Sequence, residues 1–372
     1  MILFVDQSGQ LGGAELCMAD LAAHFFPESR VLLFSDGPFV NCLKARDVPV
    51  DIFQLPAEVA QATKKTSGAT LLAGLPALVL HLWKLQKAFR KADVLYLNTA
   101  KALLFGAIAN LIARRPCIFH LHDLWTESHF SRLNIRILVA AAKRMDAVIA
   151  NSEASAEAFR RAGGCGRVHV IPNGFSIVPV PHIIHGAPER HGPVAAVFGR
   201  LARWKGQHLL IEAAREIPEL TVWIVGEALF TEDDANYARE LRALAEGLGP
   251  RVQFLGFRSD VAALMESADF IVHCSTAPEP FGRVIVEGML AGKPVIASDA
   301  GGPREIIQDR VTGLLVPPAS SGELVTALRH LIESPDAAKK MGAAARESAA
   351  TRYSIERVCT ETSQVIRSVT NP

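Results

Sequence analysis

The stretch VAAVFGRLARWKGQHLLIEAAREIPELTVWIV, residues 194–225, decides the fold class. Its first five residues form a short apolar run with no polar member, the pattern of a strand covered on both faces. Leu209, Leu210, Ala213, Ala214 and Ile217 then recur at helical spacing along one face. A second apolar run, Thr221–Val225, follows. Strand, helix and strand in that order make the repeating unit of a parallel sheet.

The unit recurs in both directions. Downstream, Val252–Leu255, Phe270–His273, Val295–Ala297 and Leu314–Val316 read as strands. Upstream, so do Ile2–Val5, Val31–Phe34, Val94–Leu97, Cys117–Leu121 and Ala147–Ala150, most followed by a helical pattern. Between the two sets lies PNGFSIVPVPHIIHGAPERHGP, residues 172–193, with neither period and much proline, glycine and histidine, which reads as a linker. The expectation is an α/β protein of two Rossmann-like, doubly wound parallel-sheet domains, residues 1–180 and 181–352, facing a central cleft. A last helical segment, 353–372, would pack back on the first domain. Ligands of such sheets bind outside the carboxyl ends of the strands.

Composition agrees with this. A chain of 372 residues, 49% hydrophobic and 21% charged, is long enough for two cores and too apolar for disorder. The formal net charge of +1 gives no global reason to expect nucleic-acid binding. It conceals a division: residues 1–185 carry 19 Lys and Arg against 14 Asp and Glu, residues 186–372 carry 20 against 24. Basic clusters at Lys84–Lys91, Arg114–Arg115 and Arg132–Arg144 read as solvated helix faces or, alternatively, as a surface for anionic lipid or an anionic acceptor. The longest apolar run, Gly68–Trp83, is broken by Pro76 and His81, falls short of a membrane span, and reads as a core helix with a broken start. No secretion leader is visible, and the six scattered cysteines, without metal-ligand spacing, read as reduced, mostly core thiols of a cytoplasmic protein.

Three segments carry candidate chemistry. After the first strand, Gln7–Glu15 is a glycine-rich turn opening a helix, although Gly9, Gly12 and Gly13 do not have dinucleotide-fingerprint spacing. After the strand at 194–198, Arg200 and Lys205 sit on the loop entering a helix, where a diphosphate would meet two cations and backbone amides. Third, PEPFGRVIVEGMLAGKPVIA, residues 278–297, places Glu279 in a loop and Glu287 about 7–8 Å along the helix that starts near Gly282. Two carboxylates so spaced can reach different parts of one extended ligand, and the spacing alone also suits a glycosidase.

Taken in order, Gly12-Gly13-Ala14-Glu15, His120-Leu121-His122-Asp123, Asn151-Ser152, Pro172-Asn173-Gly174, Gly199-Arg200 with Lys205-Gly206, Phe254–Phe257, Glu279 and Glu287 separated by seven residues, Gly301–Glu305 and Thr312–Val316 resemble the retaining glycosyltransferases of family 4, which have the GT-B fold. The resemblance spans almost the whole chain. It implies a transferase using a nucleotide-diphosphate sugar, UDP ahead of GDP, acting on a saccharide or lipid-linked acceptor in polysaccharide or glycolipid assembly, with no obligatory metal or other cofactor. By the same resemblance Arg200 and Lys205 hold the diphosphate, joined by the amides after Phe281-Gly282, and Arg283 belongs to the donor site. Glu287 binds the ribose, Glu279 the transferred sugar, and Phe257 lies near the base. His122 serves the transferred sugar, with His120 and Asp123 as weaker candidates, while Gly12 and Gly13 admit the acceptor. The implied location is the cytoplasm, or the inner face of the cytoplasmic membrane. The alternatives are a sugar-nucleotide epimerase of the same fold and an inactive nucleotide-sugar-binding protein.

Two departures from the family pattern concern substrate. Phe175-Ser176 stands where many relatives carry an aspartate, and the acidic segment Gly226–Asp234 is longer than the usual turn, reading as a solvated loop or a lid.

Overall fold

The computed structural model describes residues 1–55, 75–176, 184, 186, 188–229 and 231–370. It divides into two compact units, Met1–Ser176 with Ile355–Pro372, and Ile177–Ser354.

The first unit runs β1 (Ile2–Asp6), α1 (Gly13–His24), β2 (Ser29–Leu33), α2 (Pro38–Lys44), β3 (Val50–Ile52), α3 (Leu75–Phe89), β4 (Val94–Leu97), α4 (Ala100–Ala113), β5 (Cys117–Leu121), α5 (Arg132–Ala142), β6 (Ala147–Ala150), α6 (Glu153–Arg161) and β7 (Val168–Val170). Its seven strands are all parallel, in the order β3-β2-β1-β4-β5-β6-β7. The sequence reading missed β3 and β7. Both are three-residue edge strands, too short to show a period, and each carries a polar residue, Asp51 or His169, on its half-buried edge.

The second unit runs β8 (Val194–Phe198), α7 (Gln207–Glu216), β9 (Thr221–Val225), α8 (Glu232–Ala245), β10 (Val252–Gly256), α9 (Val261–Ser267), β11 (Phe270–His273), α10 (Arg283–Leu290), β12 (Val295–Ser298), α11 (Pro303–Ile306), β13 (Leu314–Val316), α12 (Ser321–Glu333) and α13 (Pro335–Arg352). Its strands are parallel in the order β10-β9-β8-β11-β12-β13. The apolar face of α7 is fully buried, as its periodicity requires. The last helix, α14 (Ile355–Thr370), rejoins the first unit: Ile355, Val358, Cys359, Val365 and Val369 share a core with Phe4, Met18 and Val31.

The strand order reverses beside β1 in the first sheet and beside β8 in the second, so loops leaving β1 and β4, or β8 and β11, diverge and leave a crevice at the carboxyl ends. That rule locates the candidate sites.

Three expectations need correction. The presumed core helix begins at Leu75, with Pro76 in its first turn where a missing N–H costs nothing; residues 56–74 lie outside the described residues. His81, Leu85 and Phe89 are buried, but Val79, Leu80 and Trp83 face solvent, so only one side of α3 is core. The linker reading was too wide: Asn173 and Phe175 are buried in the first unit, Phe175 accepts a bond from the Ile355 amide at 3.0 Å, and Arg190 pairs with Asp269 in the second. Residues 177–183, 185 and 187 of the linker lie outside the described residues. In the acidic segment, Glu232, Asp233 and Asp234 form the first turn of α8, where negative charge complements the helix dipole and the Thr231 hydroxyl caps the Asp234 amide at 3.0 Å. Phe230 lies outside the described residues.

Candidate functional site

In each unit most of the sequence-identified residues lie on loops at the carboxyl ends of the strands, Arg200, Lys205 and Glu279 at the β8/β11 reversal and Gly12 and Gly13 at the β1/β4 reversal, while Phe257 follows the edge strand β10 and His122 follows β5. In the second unit the chain leaves β8 through Gly199 and Arg200, makes a 3₁₀ turn at Arg203–Lys205 and enters α7 at Gly206. Gly206 has a left-handed φ of 70°, and a Cβ there would meet the Cys274 carbonyl oxygen at 2.0 Å, so no larger residue fits. The turn is stitched to the loop after β11: the Thr276 amide and hydroxyl both donate to the Trp204 carbonyl, at 2.7 and 3.2 Å. This brings Lys205 to Glu279.

Lys205 Nζ contacts Glu279 Oε1, and its ammonium lies 4.4 Å from the Trp204 ring centroid. The same carboxylate oxygen accepts from the Ser275 hydroxyl at 2.7 Å and lies 3.0 Å from His273 Nε2. Burial opposes the charged form of Glu279, but Lys205 and His273 outweigh it and hold the carboxyl well below the usual carboxylate range. The Glu279 backbone is fixed as well: its carbonyl accepts from the Gly302 amide at 2.9 Å, and Gly301 approaches so closely that a Cβ would meet that oxygen at 2.3 Å.

Helix α10 follows Gly282, whose φ of 103° turns the chain into it. Phe281 is buried against Tyr353, ring centroids 5.8 Å apart. Arg283 and Glu287 form an i,i+4 ion pair at 3.4 Å. Arg200 is half-buried, and its carbonyl accepts from the Gln207 side chain at 2.9 Å. Phe257 is 65% exposed, with its amide held by Glu227 Oε1 at 3.1 Å. Glu227, from the acidic segment, is therefore tied to the loop after β10 rather than a free lid residue.

In the first unit, Gly12 is the N-cap of α1 and Gly13 its first residue. Glu15, the third helical residue, folds back over the N-cap, where a Cβ on Gly12 would lie 2.5 Å from its carboxylate. Asp6, at the end of β1, accepts from the Asn98 side chain at 2.6 Å and the Ser8 amide at 2.9 Å. Asn98 turns its oxygen to His122 Nε2 at 2.9 Å. Since the Asn98 NH₂ is occupied by Asp6 and the Ala14 carbonyl, His122 carries a hydrogen on Nε2. His120 lies against His122, centroids 3.9 Å apart with the rings tilted by 39°, and bonds the Tyr96 hydroxyl through Nδ1 at 2.8 Å. Burial first, and His122 second, push the His120 pKa well below the ordinary value, so it stays neutral. Asp123 is exposed. Burial pushes Asp6 up to about 6, and burial together with Asp6 pushes Glu15 up to about 8.

Sequence reasoning named neither Asp6 and Asn98 nor His273, Ser275 and Trp204. A polar residue closing an apolar strand, as Asp6 and His273 do, was the available signal. Among the described residues no group of three His, Cys, Asp or Glu side chains could hold a metal ion.

Comparison with known proteins follows the same division. A family model described as glycosyltransferase family 4 matches residues 12–178, and one described as glycosyl transferases group 1 matches residues 185–348. The lipopolysaccharide core biosynthesis glycosyltransferase LpsD of Rhizobium meliloti is 29% identical over 52% of this chain, which spans only 56% of that relative's length. The phosphatidyl-myo-inositol mannosyltransferase of Mycobacterium leprae is 31% identical over 74% of each chain. Among solved structures, Anabaena Alr3699/HepE in complex with UDP and glucose superposes with a TM-score of 0.86 at 39% identity, covering 99% of both chains.

Proposed function

The chain belongs to the GT-B glycosyltransferases of group 1 and family 4, and from that premise we propose that it is a retaining transferase. Its donor is a nucleotide-diphosphate hexose, a UDP-sugar ahead of a GDP-sugar, and its acceptor a saccharide or lipid-linked saccharide in polysaccharide or glycolipid assembly. It works in the cytoplasm, where nucleotide sugars are made, with no resident cofactor. The Lys205–Glu279 pair carries the reading, supported by the UDP-bound Anabaena relative.

The pair places a cation where a diphosphate would approach, at the carboxyl end of β8, and shields it meanwhile with a carboxylate. A diphosphate brings more negative charge than Glu279 and draws Lys205 to itself. Glu279 is not then stranded, because Ser275 and His273 still satisfy the oxygen that Lys205 leaves. The carboxylate is freed to accept hydrogen bonds from the hydroxyls of the transferred sugar. Arg200, Lys205 and the α10 amides after Gly282 stabilise charge on the diphosphate as the bond from the anomeric carbon to the phosphate oxygen breaks. The acceptor oxygen forms the new bond to that carbon on the same face, and the departing phosphate oxygen takes the acceptor proton. Glu287 and Phe257 serve the ribose and base, Arg283 orienting Glu287. On the first unit, His122 offers its Nε2-defined tautomer to a sugar hydroxyl, and Gly12 and Gly13 leave backbone open to the acceptor.

A thermal-shift series with UDP-, GDP- and ADP-sugars tests the donor: a ligand at about 100 times its Kd stabilises the fold by about 2.7 kcal/mol. UDP-sugars are expected to give the largest shift. No shift with any nucleotide sugar would sink the reading, and epimerisation of a UDP-sugar without acceptor would replace it.

A further inference from the structure

Three cations crowd the loop that follows β8. Arg200, Arg203 and Lys205 fall within six residues, the last two on the 3₁₀ turn that leads directly into α7. Like charges this close repel, so each side chain needs something to hold it in place. Two aromatic rings divide them. Arg203 is exposed and turns to α8, where it bonds Glu240 at 2.5 Å and its guanidinium carbon lies 5.1 Å from the Tyr237 ring centroid. Arg200 and Lys205 share Trp204 instead. The Lys205 ammonium is 4.4 Å and the Arg200 guanidinium carbon 6.0 Å from the centroid of that half-buried ring. Both are within range of the negative face of an indole, the side chain that attracts cations most strongly. The two cations over Trp204 are the two assigned to a diphosphate, and the cation over Tyr237 is not.

The ring differs from Glu279 in what it does to Lys205. Glu279 is an anion and competes with a phosphate for the ammonium. Trp204 attracts the cation without cancelling its charge, so its hold persists when the ammonium turns from carboxylate to phosphate. The backbone of the turn is fixed by other means. The Trp204 carbonyl accepts from the Thr276 amide and hydroxyl, the Lys205 amide donates to the Ala202 carbonyl at 2.8 Å, and Gly206 is confined by the Cys274 carbonyl. None of these contacts uses the indole, so the ring acts on the cations and not on the course of the chain.

We infer that Trp204 is a positioning residue for donor binding, its ring gathering the Arg200 and Lys205 side chains so that one diphosphate meets both. The inference rests on the donor reading above and adds to it a residue that works through the two cations. Holding both before the ligand arrives lowers the ordering cost of binding, since two long side chains no longer have to be fixed at that moment.

Calorimetric titration of the full chain with UDP tests it, on the parent, Trp204→Leu, Trp204→Phe, Lys205→Met and the double variant Trp204→Leu with Lys205→Met. Trp204→Leu is expected to weaken UDP binding about tenfold with little change in melting temperature. Trp204→Phe keeps an aromatic face and should bind within about threefold of the parent. Because the ring works through the cations, Trp204→Leu should cost only about threefold in the Lys205→Met background, the remainder passing through Arg200. Parent-like binding by Trp204→Leu overturns the proposal. So does an equal loss in Trp204→Leu and Trp204→Phe, or a loss in the double variant equal to the full product of the single losses. If Trp204→Leu does not fold, fluorinated tryptophans placed at position 204 keep the shape and weaken the negative face, and UDP affinity should then fall as fluorines are added; affinity independent of fluorine overturns the proposal. A parent that binds no UDP breaks the donor reading and this inference together, whereas a parent that binds UDP beside an unaffected Trp204→Leu breaks the inference alone.

Discussion

Asp6 and Glu15 of the first unit follow β1, and Glu279 of the second follows β11; each of these strands is one of the pair between which its sheet's order reverses. Burial pushes all three carboxyls toward the neutral form. In the first unit the partners are amides, hydroxyls and another acid, and the carboxyls rise to about 6 and about 8. In the second, Lys205 and His273 reverse the sign and the carboxyl falls. Desolvation is thus the shared cost, and the charge of the nearest partner decides which protonation state survives it. Without a cation beside them the two first-unit carboxyls stay raised, while Lys205 keeps Glu279 ionised in the second unit.

The strongest way to break this contrast is at Glu279. Glu279→Ala is expected to lower kcat by about 10²–10³-fold, as for other groups that act on the reacting sugar, with a much smaller change in UDP affinity by calorimetry. Equal losses in the two would remove Glu279 from the sugar. Lys205→Ala should act on the opposite quantity, weakening UDP binding by about tenfold or more through loss of one charge-assisted contact. Unchanged binding would end the diphosphate assignment.

Smaller effects probe the first unit. Asn98→Ala removes the group that fixes the His122 tautomer, and about a tenfold loss in kcat with a shifted pH profile is expected; a loss that is flat with pH would mean Asn98 only supports the fold. The smallest effect concerns stability. Because the folded-state pKa values of Asp6 and Glu15 are raised, the folded state binds their protons more tightly than the unfolded chain, so their contribution is fully present only below the ordinary carboxylate range and is lost as pH rises through about 6 and about 8. Glu279 has the opposite sign, its contribution present above the ordinary carboxylate range and lost on acidification. Glu15→Gln should therefore melt higher relative to the parent at pH 9 than at pH 5, and Lys205→Met should blunt the acid-side loss. Melting curves across pH read both, and parallel profiles for Glu15→Gln and the parent would refute the first.

Most of the fold was legible because it rests on local pattern. Eleven strands announced themselves as short apolar runs, and the α7 face by its period. The strands that were missed, β3 and β7, lie at sheet edges, where one flank is unpaired and three residues carry no periodic signal. The glycine at 206 and the Glu279-to-Glu287 spacing pointed to the second-unit site from sequence. His273 and Ser275 did not, because a histidine ending an apolar strand marks a position for attention without showing which distant carboxylate it meets.

What the sequence determined by itself was the two parallel-sheet units and the loops that carry the candidate groups, since apolar period, glycine and proline act over a few residues. The tertiary structure decided the rest. It paired Lys205 with Glu279 across 74 positions, turned Asn98 between Asp6 and His122, and left the outer faces of α3, α4 and α5 apolar and uncovered. Protonation state and exposure depend on which distant residues come within a few ångströms, and no local pattern encodes that.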